Sequence, residues 1–527
     1  APISMPLGVK KDLNNGRVTL TWSANTESDI AGYKIYYGDY TGYSFSTVID
    51  VGNVTTYTLP AGISLDDPIA VTAYDTSKDG IDDQFDGNES WYSLANTRPS
   101  TPAALEGDIG PRRVRLSWTA GSSGAADAYY VYRSTDNVNF TRVASTTNLH
   151  HVDENLTGYT SYYYKVSAFD SLDLSYENYG LESERSAALE LKPTRKIYVG
   201  TNGATSNIGS ESAPLRAIQA GIDYAIAGDT VLVGNGKYEE NLTLSKNILL
   251  LGINGPENTE ISSPSQFPNS GLALLNLQNN PIITGFRFNG EILPNIGTAG
   301  DIIFIQSGNP TLDNCYLYNL PTPGDAAIDI RGGAPIFNRL KFYNIRGRGI
   351  TAESSELIRI SNSLFYDNNT AIDLFGAKML INQCTFTKNS RALSVRRISE
   401  LTVTNSIFYY NPGIDIYFGH ASVEHFYAEF KNNLIEGGGE FRPYFENMGG
   451  VGTLSPTYFY PNPTHRTGIV WENNFDQIPQ FQSLAQNNFL LADFSPAIGI
   501  SNDPVATLDL IGVSRPNPAG SRPDLGA

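Results

Sequence analysis

One short alternating phrase returns at a nearly constant interval between residues 303 and 419. Its copies alternate apolar and polar positions, as in Ile328-Asp329-Ile330-Arg331 and Ile372-Asp373-Leu374-Phe375. Successive copies begin 25, 22, 22, 21 and 21 residues apart, at Ile303, Ile328, Ile350, Ile372, Leu393 and Ile414. Self-similarity at a fixed period of this length indicates a repeat architecture. Because the alternation has period two, each phrase is predicted to be a strand rather than a helix.

A second phrase runs in step with the first and carries a large apolar residue followed by an asparagine. The apolar residues are Leu317, Phe342, Phe365, Phe386 and Phe408, and the asparagines are Asn319, Asn344, Asn368, Asn389 and Asn411. A repeat of about 22 residues with strands and no helix is typical of one coil of a parallel β-helix, whose coils stack about 4.8 Å apart. We predict a buried phenylalanine column, Asp329, Asp373 and Asp415 outside it, and asparagines in turns.

The two cysteines of the chain fall in one inward column of the predicted coils. Cys315 lies three coils from Cys384, or about 14 Å at the spacing of neighbouring strands. A disulfide needs Cα atoms within about 7 Å. We therefore predict two buried thiols, and the chain has no CxxC pair that would indicate a metal site.

Two stretches before the repeats share a different plan. Residues 1–97 and 98–193 each alternate short strands with turns, which is typical of a β-sandwich. Trp22 and Trp118 end corresponding strands, and Leu156 precedes Tyr162 by six positions. With these residues, both stretches resemble fibronectin type III domains, and Leu156 with Tyr162 resembles the tyrosine corner of that family. The first stretch has Leu65 at the corner position. The resemblance implies spacing or binding modules.

The segment from residue 196 onward changes in character. Leu215, Ile218, Ile222 and Ala225 follow Pro214 at helical spacing, and short apolar strands come next. This start resembles that of secreted right-handed β-helix domains of the pectate-lyase superfamily, in which a helix covers the open end. Residues 489–499 and 522–527 resemble the closing motif of bacterial surface β-helix proteins. The resemblance implies an all-β chain: two fibronectin type III-like sandwiches at 1–97 and 98–193, and at 194–527 a right-handed parallel β-helix capped by a short N-terminal helix.

The formal net charge of −18 indicates which classes of partner are unfavourable for the chain. Such an acidic protein repels nucleic acid and anionic membrane surfaces. No apolar run is long enough to span a bilayer. The sequence opens without a signal peptide, as expected of a mature form whose leader was removed. Together with the all-β composition, these features predict an extracellular or cell-surface location.

The outward positions of the repeat supply the candidate catalytic residues. Glycoside hydrolysis needs two carboxylates about 5–9.5 Å apart. Asp329, Asp373 and Asp415 skip alternate coils, so that neighbours lie about 10 Å apart. Arg396 is the candidate base for an eliminative lyase, which would also need Ca²⁺. The alternative is that these charges form surface ion pairs of small net value.

Further positions are candidates for ligand binding. Phe304, Phe375 and Tyr417 face outward and would stack on sugar rings, and Arg331 stacks over Glu353 beside them. The alternative for the three rings is that they are single exposed aromatics. An acidic loop offers hard oxygen ligands for Ca²⁺ at Asp79, Asp82, Asp83 and Asp86, and we keep it as one candidate metal site. We predict no other cofactor. The alternative is that this loop is simply solvated.

These observations favour an extracellular, non-enzymatic surface, adhesive or appendage protein, with filament formation as one form. The alternative is a secreted polysaccharide lyase or glycoside hydrolase acting on acidic polysaccharide along the β-helix face. The missing carboxylate pair argues against an enzyme. Expected partners are copies of the chain, other surface proteins and polysaccharide. The apolar N-terminal segment with Ile3, Met5 and Leu7 either lies along its own sandwich or adds to a sheet edge of a neighbouring subunit.

Overall fold

The computed structural model describes most of the chain. The described residues are 3–41, 44–65, 67–76, 88–97, 99–122, 126–170, 181–264, 273–291, 300–354, 356–397, 399–418, 426–436, 444–445, 450–451, 457–461, 466–501, 508–514 and 522–526. The chain divides into two compact units, Ala1–Thr194 and Arg195–Ala527. The boundary between the two sandwich domains inside the first unit stays a prediction.

The first half of unit one is a sandwich of two four-stranded sheets. Its strands are β1 Lys10–Asn14, β2 Arg17–Thr21, β3 Ile30–Tyr40, β4 Phe45–Gly52, β5 Thr56–Thr58, β6 Ala70–Asp75, β7 Ser93–Leu94 and β8 Asn96–Thr97. The sheet orders are β5-β2-β1-β8 and β4-β3-β6-β7. Trp22 and Tyr33 pack edge to face between the sheets, with ring centroids 5.4 Å apart. Alternating residues of β2 and β3 fill the core, as period-two patterning requires.

The N-terminal segment lies along this first sandwich. Ile3 is buried in the sandwich core. The Ser4 backbone N–H donates to Glu27 Oε1 at 2.9 Å, and the backbone N–H of Ser23 donates to the Leu7 carbonyl at 2.9 Å. Of the two alternatives for this segment, the structure therefore takes the intramolecular one.

The second half of unit one repeats the plan. Its strands are β9 Ala103–Gly110, β10 Arg113–Thr119, β11 Ala128–Ser134, β12 Thr141–Thr146, β13 His150–Asp153, β14 Tyr162–Asp170, β15 Leu181–Glu182 and β16 Leu189–Leu191. The sheet orders are β13-β10-β9 and β12-β11-β14-β15, with β16 pairing β14. The backbone N–H of Thr157 donates to the Tyr162 hydroxyl at 3.0 Å, which is the tyrosine-corner contact that the sequence predicts.

Unit two begins with a strand and one short helix. Strand β17, Lys196–Val199, pairs in parallel with β18, Thr230–Val233. Helix α1 spans Ile218–Tyr224 and buries Ile218, Gly221 and Ile222 against the first strands. It begins three residues after Leu215, which instead bridges to β17.

Both ends of α1 are held by side chains of the following coil. The Glu240 carboxylate accepts the backbone N–H groups of Ile218 and Gln219 at 2.8 and 3.0 Å. Lys246 Nζ donates to the carbonyls of Ile222, Asp223 and Ala225. These bonds satisfy helix-end groups that have no partner within the helix.

The remaining strands form a parallel β-helix, with additional antiparallel pairs among residues 444–491. They are β19 Gly236–Glu239, β20 Leu242–Leu244, β21 Leu249–Gly252, β22 Thr259–Ser262, β23 Leu275–Leu277, β24 Ile282–Thr284, β25 Arg287–Asn289, β26 Ile303–Ile305, β27 Thr311–Leu320, β28 Ala326–Ile330, β29 Ile336–Ile345, β30 Arg348–Ala352, β31 Leu357–Ser361, β32 Leu364–Tyr366, β33 Thr370–Phe375, β34 Lys378–Asn382, β35 Thr385–Thr387, β36 Arg391–Arg396, β37 Ser399–Thr404, β38 Ile407–Tyr409, β39 Ile414–Phe418, β40 Phe426–Lys431, β41 Leu434–Ile435, β42 Tyr444–Phe445, β43 Gly450–Val451, β44 Thr457–Pro461, β45 Arg466–Glu472, β46 Phe481–Ser483 and β47 Asn488–Leu491. One sheet has the order β20-β23-β26-β28-β30-β33-β36-β39-β42-β43, and we call it the phrase sheet because it carries the repeated phrase.

The predicted phenylalanine column is confirmed. Phe342, Phe365, Phe386 and Phe408 are all fully buried. Successive ring centroids lie 4.5, 4.9 and 4.6 Å apart, with the ring planes within 11° of parallel. This spacing matches the distance between neighbouring coils. Cys315 and Cys384 are buried thiols on the same side of the core.

The recurring asparagines divide into two groups by their distance from the aromatic column. Asn319 and Asn344 follow it by two residues and adopt left-handed backbone angles, both with φ of 57°. Asn368 and Asn389 follow it by three residues and are buried. Asn368 Nδ2 donates to Asn389 Oδ1 at 2.9 Å, and Asn389 Nδ2 donates to Asn411 Oδ1 at 3.1 Å. We call Asn368, Asn389 and Asn411 the asparagine ladder, since their side chains bond each coil to the next.

Candidate functional site

The outward positions of the phrase sheet form a row of aligned side chains. Strand pairing places Phe304 beside Asp329, Asp329 beside Thr351, Thr351 beside Asp373, Asp373 beside Ser394, and Ser394 beside Tyr417. Two coils therefore separate Asp329 from Asp373, or about 10 Å. This spacing is the one that the sequence predicts for these two carboxylates.

The two aspartates of this row form ion pairs with nearby arginine side chains. Arg331 donates to Asp329 Oδ2 through Nε and Nη2 at 3.0 and 2.8 Å, and to Glu353 Oε2 through Nη1 at 3.1 Å. Asp373 is bound by Arg348 Nε at 2.9 Å and by Arg396 Nε at 3.0 Å. The structure thus brings together Arg331 with Glu353 and Arg396 with Asp373.

The expectation that the aspartates are outside the coil needs a correction. Asp329 and Asp373 point away from the phenylalanine column, yet they are only 4% and 2% exposed. The arginine side chains cover them, because each guanidinium reaches its carboxylate from a neighbouring residue or coil. The two aspartates are therefore buried parts of ion pairs rather than solvated surface charges.

A polar pocket of about 410 Å³ opens next to Asp329. Its walls come from the turn between β27 and β28, from a residue before β26, from β28 and the residue after it, and from β30. The lining residues are Asp301, Thr322, Pro323, Gly324, Asp325, Ala326, Asp329, Arg331, Arg348 and Thr351. Within the described residues, Asp329 Oδ1 and Thr322 Oγ1 are buried without a hydrogen-bond partner. The pocket thus offers both donors and unsatisfied acceptors.

Two carboxyl groups in this pocket have perturbed acidity. Burial raises the pKa of Asp301 to about 7, and the nearby carboxylates of Asp329 and Asp325 add to this effect. A bond from the backbone N–H of Ala326 to Asp301 Oδ1, 2.8 Å long, opposes it. Burial also raises the pKa of Asp329, against the stabilising bonds from Arg331. Near neutral pH, Asp301 is therefore poised between its protonated and ionised forms.

The position of Asp415 differs from the prediction. In the pairing of β36 with β39, Tyr417 lies beside Ser394 and Ile416 lies beside Leu393. Asp415 is therefore shifted by two residues from the row of Asp329 and Asp373. Its Oδ1 accepts a hydrogen bond from Asn411 Nδ2 at 2.8 Å, so Asp415 is bonded to the last residue of the asparagine ladder. Burial raises the pKa of Asp415 to about 6.

Arginines cover two of the three aromatic rings that were predicted to stack on sugars. The guanidinium carbon of Arg397 lies 3.7 Å from the Phe375 ring centroid, and that of Arg391 lies 4.4 Å from the Tyr417 centroid. Tyr417 is only 8% exposed, so its predicted outward exposure is wrong. Phe304, the third ring, is partly exposed.

The remaining predictions concern metals and membranes. Asp79, Asp82, Asp83 and Asp86 lie outside the described residues, so the Ca²⁺ hypothesis stays a prediction. In the part of the chain that the structure describes, His, Cys, Asp and Glu side chains form no group of three that could hold a metal ion. The same residues contain no helix long and apolar enough to cross a membrane.

Three residues of the pocket were not predicted from the sequence. Asp301 and Arg348 lie just outside the repeated phrase, before or at the start of a phrase-sheet strand, and Thr322 lies in a turn. A repeat pattern shows which residues share a column, but not which turn folds against that column. Asp301 lies two positions before the first phrase, and no later phrase has an acidic residue at that position, so the repeat gave no signal for it.

Known proteins resemble separate parts of this chain. Residues 300–441 match the family described as "Right handed beta helix region". Exoglucanase B of Cellulomonas fimi is 26% identical over 317 residues, which are 51% of this chain and 26% of the relative. The chain thus spans about a quarter of the length of that curated relative.

Solved structures resemble the chain at low identity. The chicken CNTN1 FN1-FN3 domains are 16% identical, with 37% of this chain and 69% of that chain covered and a TM-score of 0.23. A two-domain fibronectin type III segment of chicken tenascin is 16% identical, with 36% and 99% covered and a TM-score of 0.20. Scores this low carry no weight for the fold, which rests on the strand orders of the two sandwiches.

Proposed function

For a chain built from two fibronectin type III-like sandwiches and a right-handed parallel β-helix, we propose an extracellular, adhesive surface role. In this proposal the phrase sheet binds polysaccharide and does not cleave it. The pocket beside Asp329 is the binding site, with Arg331 and Arg348 as hydroxyl-binding donors and Asp329 and Thr322 as acceptors. A volume of about 410 Å³ suits a ligand the size of one or two sugar units.

The pairing of the charged row is the observation that carries this proposal. Arg396, the candidate base, is bound to Asp373, and Asp373 also holds Arg348. A proton-abstracting arginine needs a strongly lowered pKa, whereas a carboxylate partner favours the charged guanidinium. Asp329 and Asp373 also lie about 10 Å apart, beyond the separation that glycoside hydrolysis uses. A paired, pre-organised surface of this kind supports recognition rather than bond cleavage.

The known relatives support a carbohydrate ligand in a general way. Exoglucanase B carries in its name an action on glucans, and it resembles about half of this chain. We take from this relative a polysaccharide as partner, and not its activity.

Binding and cleavage are separable in one experiment on the full chain. The protein is run through native gels that contain neutral or acidic polysaccharides, and the same mixtures are assayed for reducing ends and unsaturated products. We expect retardation without products. Arg331→Met should weaken retardation about tenfold because it removes a donor and frees Asp329 and Glu353. Arg359→Met is the matched control, because Arg359 is an exposed arginine of β31 outside the phrase sheet. Release of products, or no retardation by any polysaccharide, contradicts the proposal.

A glycoside hydrolase is the second candidate, and the pair of Asp301 and Asp329 favours it. Two carboxyl groups of raised pKa share one polar pocket, which suits an acid and a base. Reducing ends released by the unmodified chain and lost in Asp301→Asn would establish it. Asp367→Asn is the control, because Asp367 is exposed in a turn with a φ of 54° that asparagine tolerates.

A further inference from the structure

The outer face of one sheet in the first sandwich carries a cluster of aromatic rings. Ring centroids of Tyr36 and Tyr92 lie 4.8 Å apart, those of Phe45 and Tyr92 lie 5.3 Å apart, and those of Tyr40 and Phe45 lie 4.6 Å apart. We call these four residues the aromatic face. Tyr36 alternates along β3 with Tyr33 and Ile35 of the core, so the cluster lies on the side away from the core.

Exposed apolar side chains extend this face on both sides. Val48 pairs with Tyr36 across β3 and β4 and is 53% exposed. Leu94 pairs with Ala70, which itself pairs with Tyr36, and is 51% exposed. Contiguous exposed apolar surface of this kind marks binding sites in soluble proteins.

A closed polar cluster lies beside the rings. Glu89 accepts bonds from Lys34 Nζ at 2.7 Å, from Thr72 Oγ1 at 2.6 Å and from the Tyr36 hydroxyl. Because Lys34 and Glu89 neutralise each other, these groups add hydrogen-bonding capacity without net charge. The face therefore suits an uncharged partner that has both apolar surface and hydroxyl groups.

The second sandwich provides an internal comparison. There Tyr132 and Ser167 bond to Glu182 at 2.6 Å each, as Tyr36 and Thr72 bond to Glu89. Cations, however, lie over its rings. Arg185 is 3.7 Å from the Tyr132 centroid, Arg142 is 4.4 Å from Tyr130, and Lys165 is 4.7 Å from Phe140.

In the described part of the first sandwich, three aromatic rings lack a cation over them. Among the described residues, no lysine or arginine lies over Tyr36, Phe45 or Tyr92. The position of Arg142, which pairs with Tyr132, is taken by Val48, which pairs with Tyr36. The same sheet position is thus cationic in one sandwich and apolar in the other.

We propose that the aromatic face is a second ligand site, which binds an uncharged polysaccharide by stacking of sugar rings on the aromatic rings. The C–H face of a sugar ring is apolar and packs on an aromatic ring, while its hydroxyl groups bond to Glu89 and Lys34. Acidic polysaccharide is disfavoured, because the face is neutral and the chain has a net charge of −18. This site is independent of the pocket in the β-helix.

The test uses the full chain and native gels that contain hydroxyethylcellulose, mannan or polygalacturonate. Phe45→Ala should weaken binding of a neutral polymer about tenfold, the equivalent of one lost aromatic contact. Tyr130→Ala is the matched control in the second sandwich and should change binding less than about twofold, because its ring is already capped by Arg142.

Val48→Arg tests the face without removing any ring. It copies the cation of the second sandwich onto an exposed position, so folding should be retained, and Val48→Ala is its control. We expect Val48→Arg to reduce binding of neutral polymer about as much as Phe45→Ala does.

Unchanged binding in folded Val48→Arg and Phe45→Ala overturns the proposal. So does an equal loss of polygalacturonate binding in these two variants, or loss of a self-association instead of polysaccharide binding. Variants at Arg331 leave this site intact and separate its failure from that of the β-helix site.

Discussion

Replacing Asn389 with alanine tests whether the asparagine ladder holds the coils together. Asn389 is fully buried, and its Oδ1 accepts the backbone N–H and the side-chain amide of Asn368 at 3.2 and 2.9 Å. Its Nδ2 donates to the Phe365 carbonyl at 3.0 Å and to Asn411 Oδ1 at 3.1 Å. The alanine variant leaves the Asn368 N–H and the Phe365 carbonyl buried without these partners. At about 1–3 kcal/mol for each orphaned group, the expected loss is about 3 kcal/mol.

Hydrogen exchange followed by mass spectrometry localises this loss in the full chain. A loss of about 3 kcal/mol should speed exchange about 100-fold in peptides that span residues 364–390. Asn344→Gly is the control, because Asn344 is exposed, has a φ of 57° that glycine adopts freely, and makes a side-chain bond to Asn319. It should cost about 1 kcal/mol or less. Equal acceleration in both variants, or none in Asn389→Ala, would refute the role of the ladder.

Three further predictions follow from named contacts. Titration of denatured, unreduced protein should find two thiols per chain, Cys315 and Cys384, and finding none would mean that they pair between chains. Asp301 has a pKa of about 7, above its ordinary value of 3.8, so its stabilising contribution is complete below pH 4 and is lost as the pH rises through 7. Thermal melts of Asp301→Asn should therefore exceed those of the unmodified chain at pH 8 and match them at pH 4, and a pH-independent difference would contradict this sign. Glu240→Gln should speed exchange in residues 216–226 by about fivefold, since a neutral amide replaces the carboxylate at the start of α1, and no change would show that the carboxylate is dispensable.

The sequence was sufficient for the fold because two periods agree. Alternation with period two identifies strands, and recurrence at about 22 residues identifies coils. Together they place Phe342, Phe365, Phe386 and Phe408 in one column, since a slip of one residue would move the whole set to the solvent side. The sandwiches were recognisable from Trp22, Trp118 and Tyr162 for a similar reason, because each fills a position that the packing of two sheets requires.

The register of the strand that contains Asp415 could not be predicted from the alternation of the sequence. Residues 414–418 read Ile-Asp-Ile-Tyr-Phe, so the phrase fits the preceding coil equally well in two registers that differ by two residues. Both registers put the same side chains inside, and alternation therefore cannot distinguish them. The structure takes the register that places Ile416 and Phe418 beside Leu393 and Val395. Larger side chains thus fill the core, and Asp415 remains within reach of Asn411.

The arginines that lie over two of the aromatic candidates could not be predicted, for a different physical reason. Sequence position shows that Phe375 and Tyr417 belong to outward phrases, but the availability of a ring depends on which cation lies over it. Arg397 and Arg391 cover these two rings, just as Arg142 and Arg185 cover rings of the second sandwich.

The same criterion leads to the aromatic face, where a valine occupies the position of the capping arginine. A ring that already has a cation over it must lose that contact before a sugar can stack there, whereas an uncovered ring gives up only water. Ligand stacking is therefore expected in the first sandwich, and hydrogen-bonded recognition in the β-helix pocket. Sugar stacking and hydrogen-bonded recognition respond differently to salt and to Val48→Arg. A binding curve for each variant therefore distinguishes the two modes.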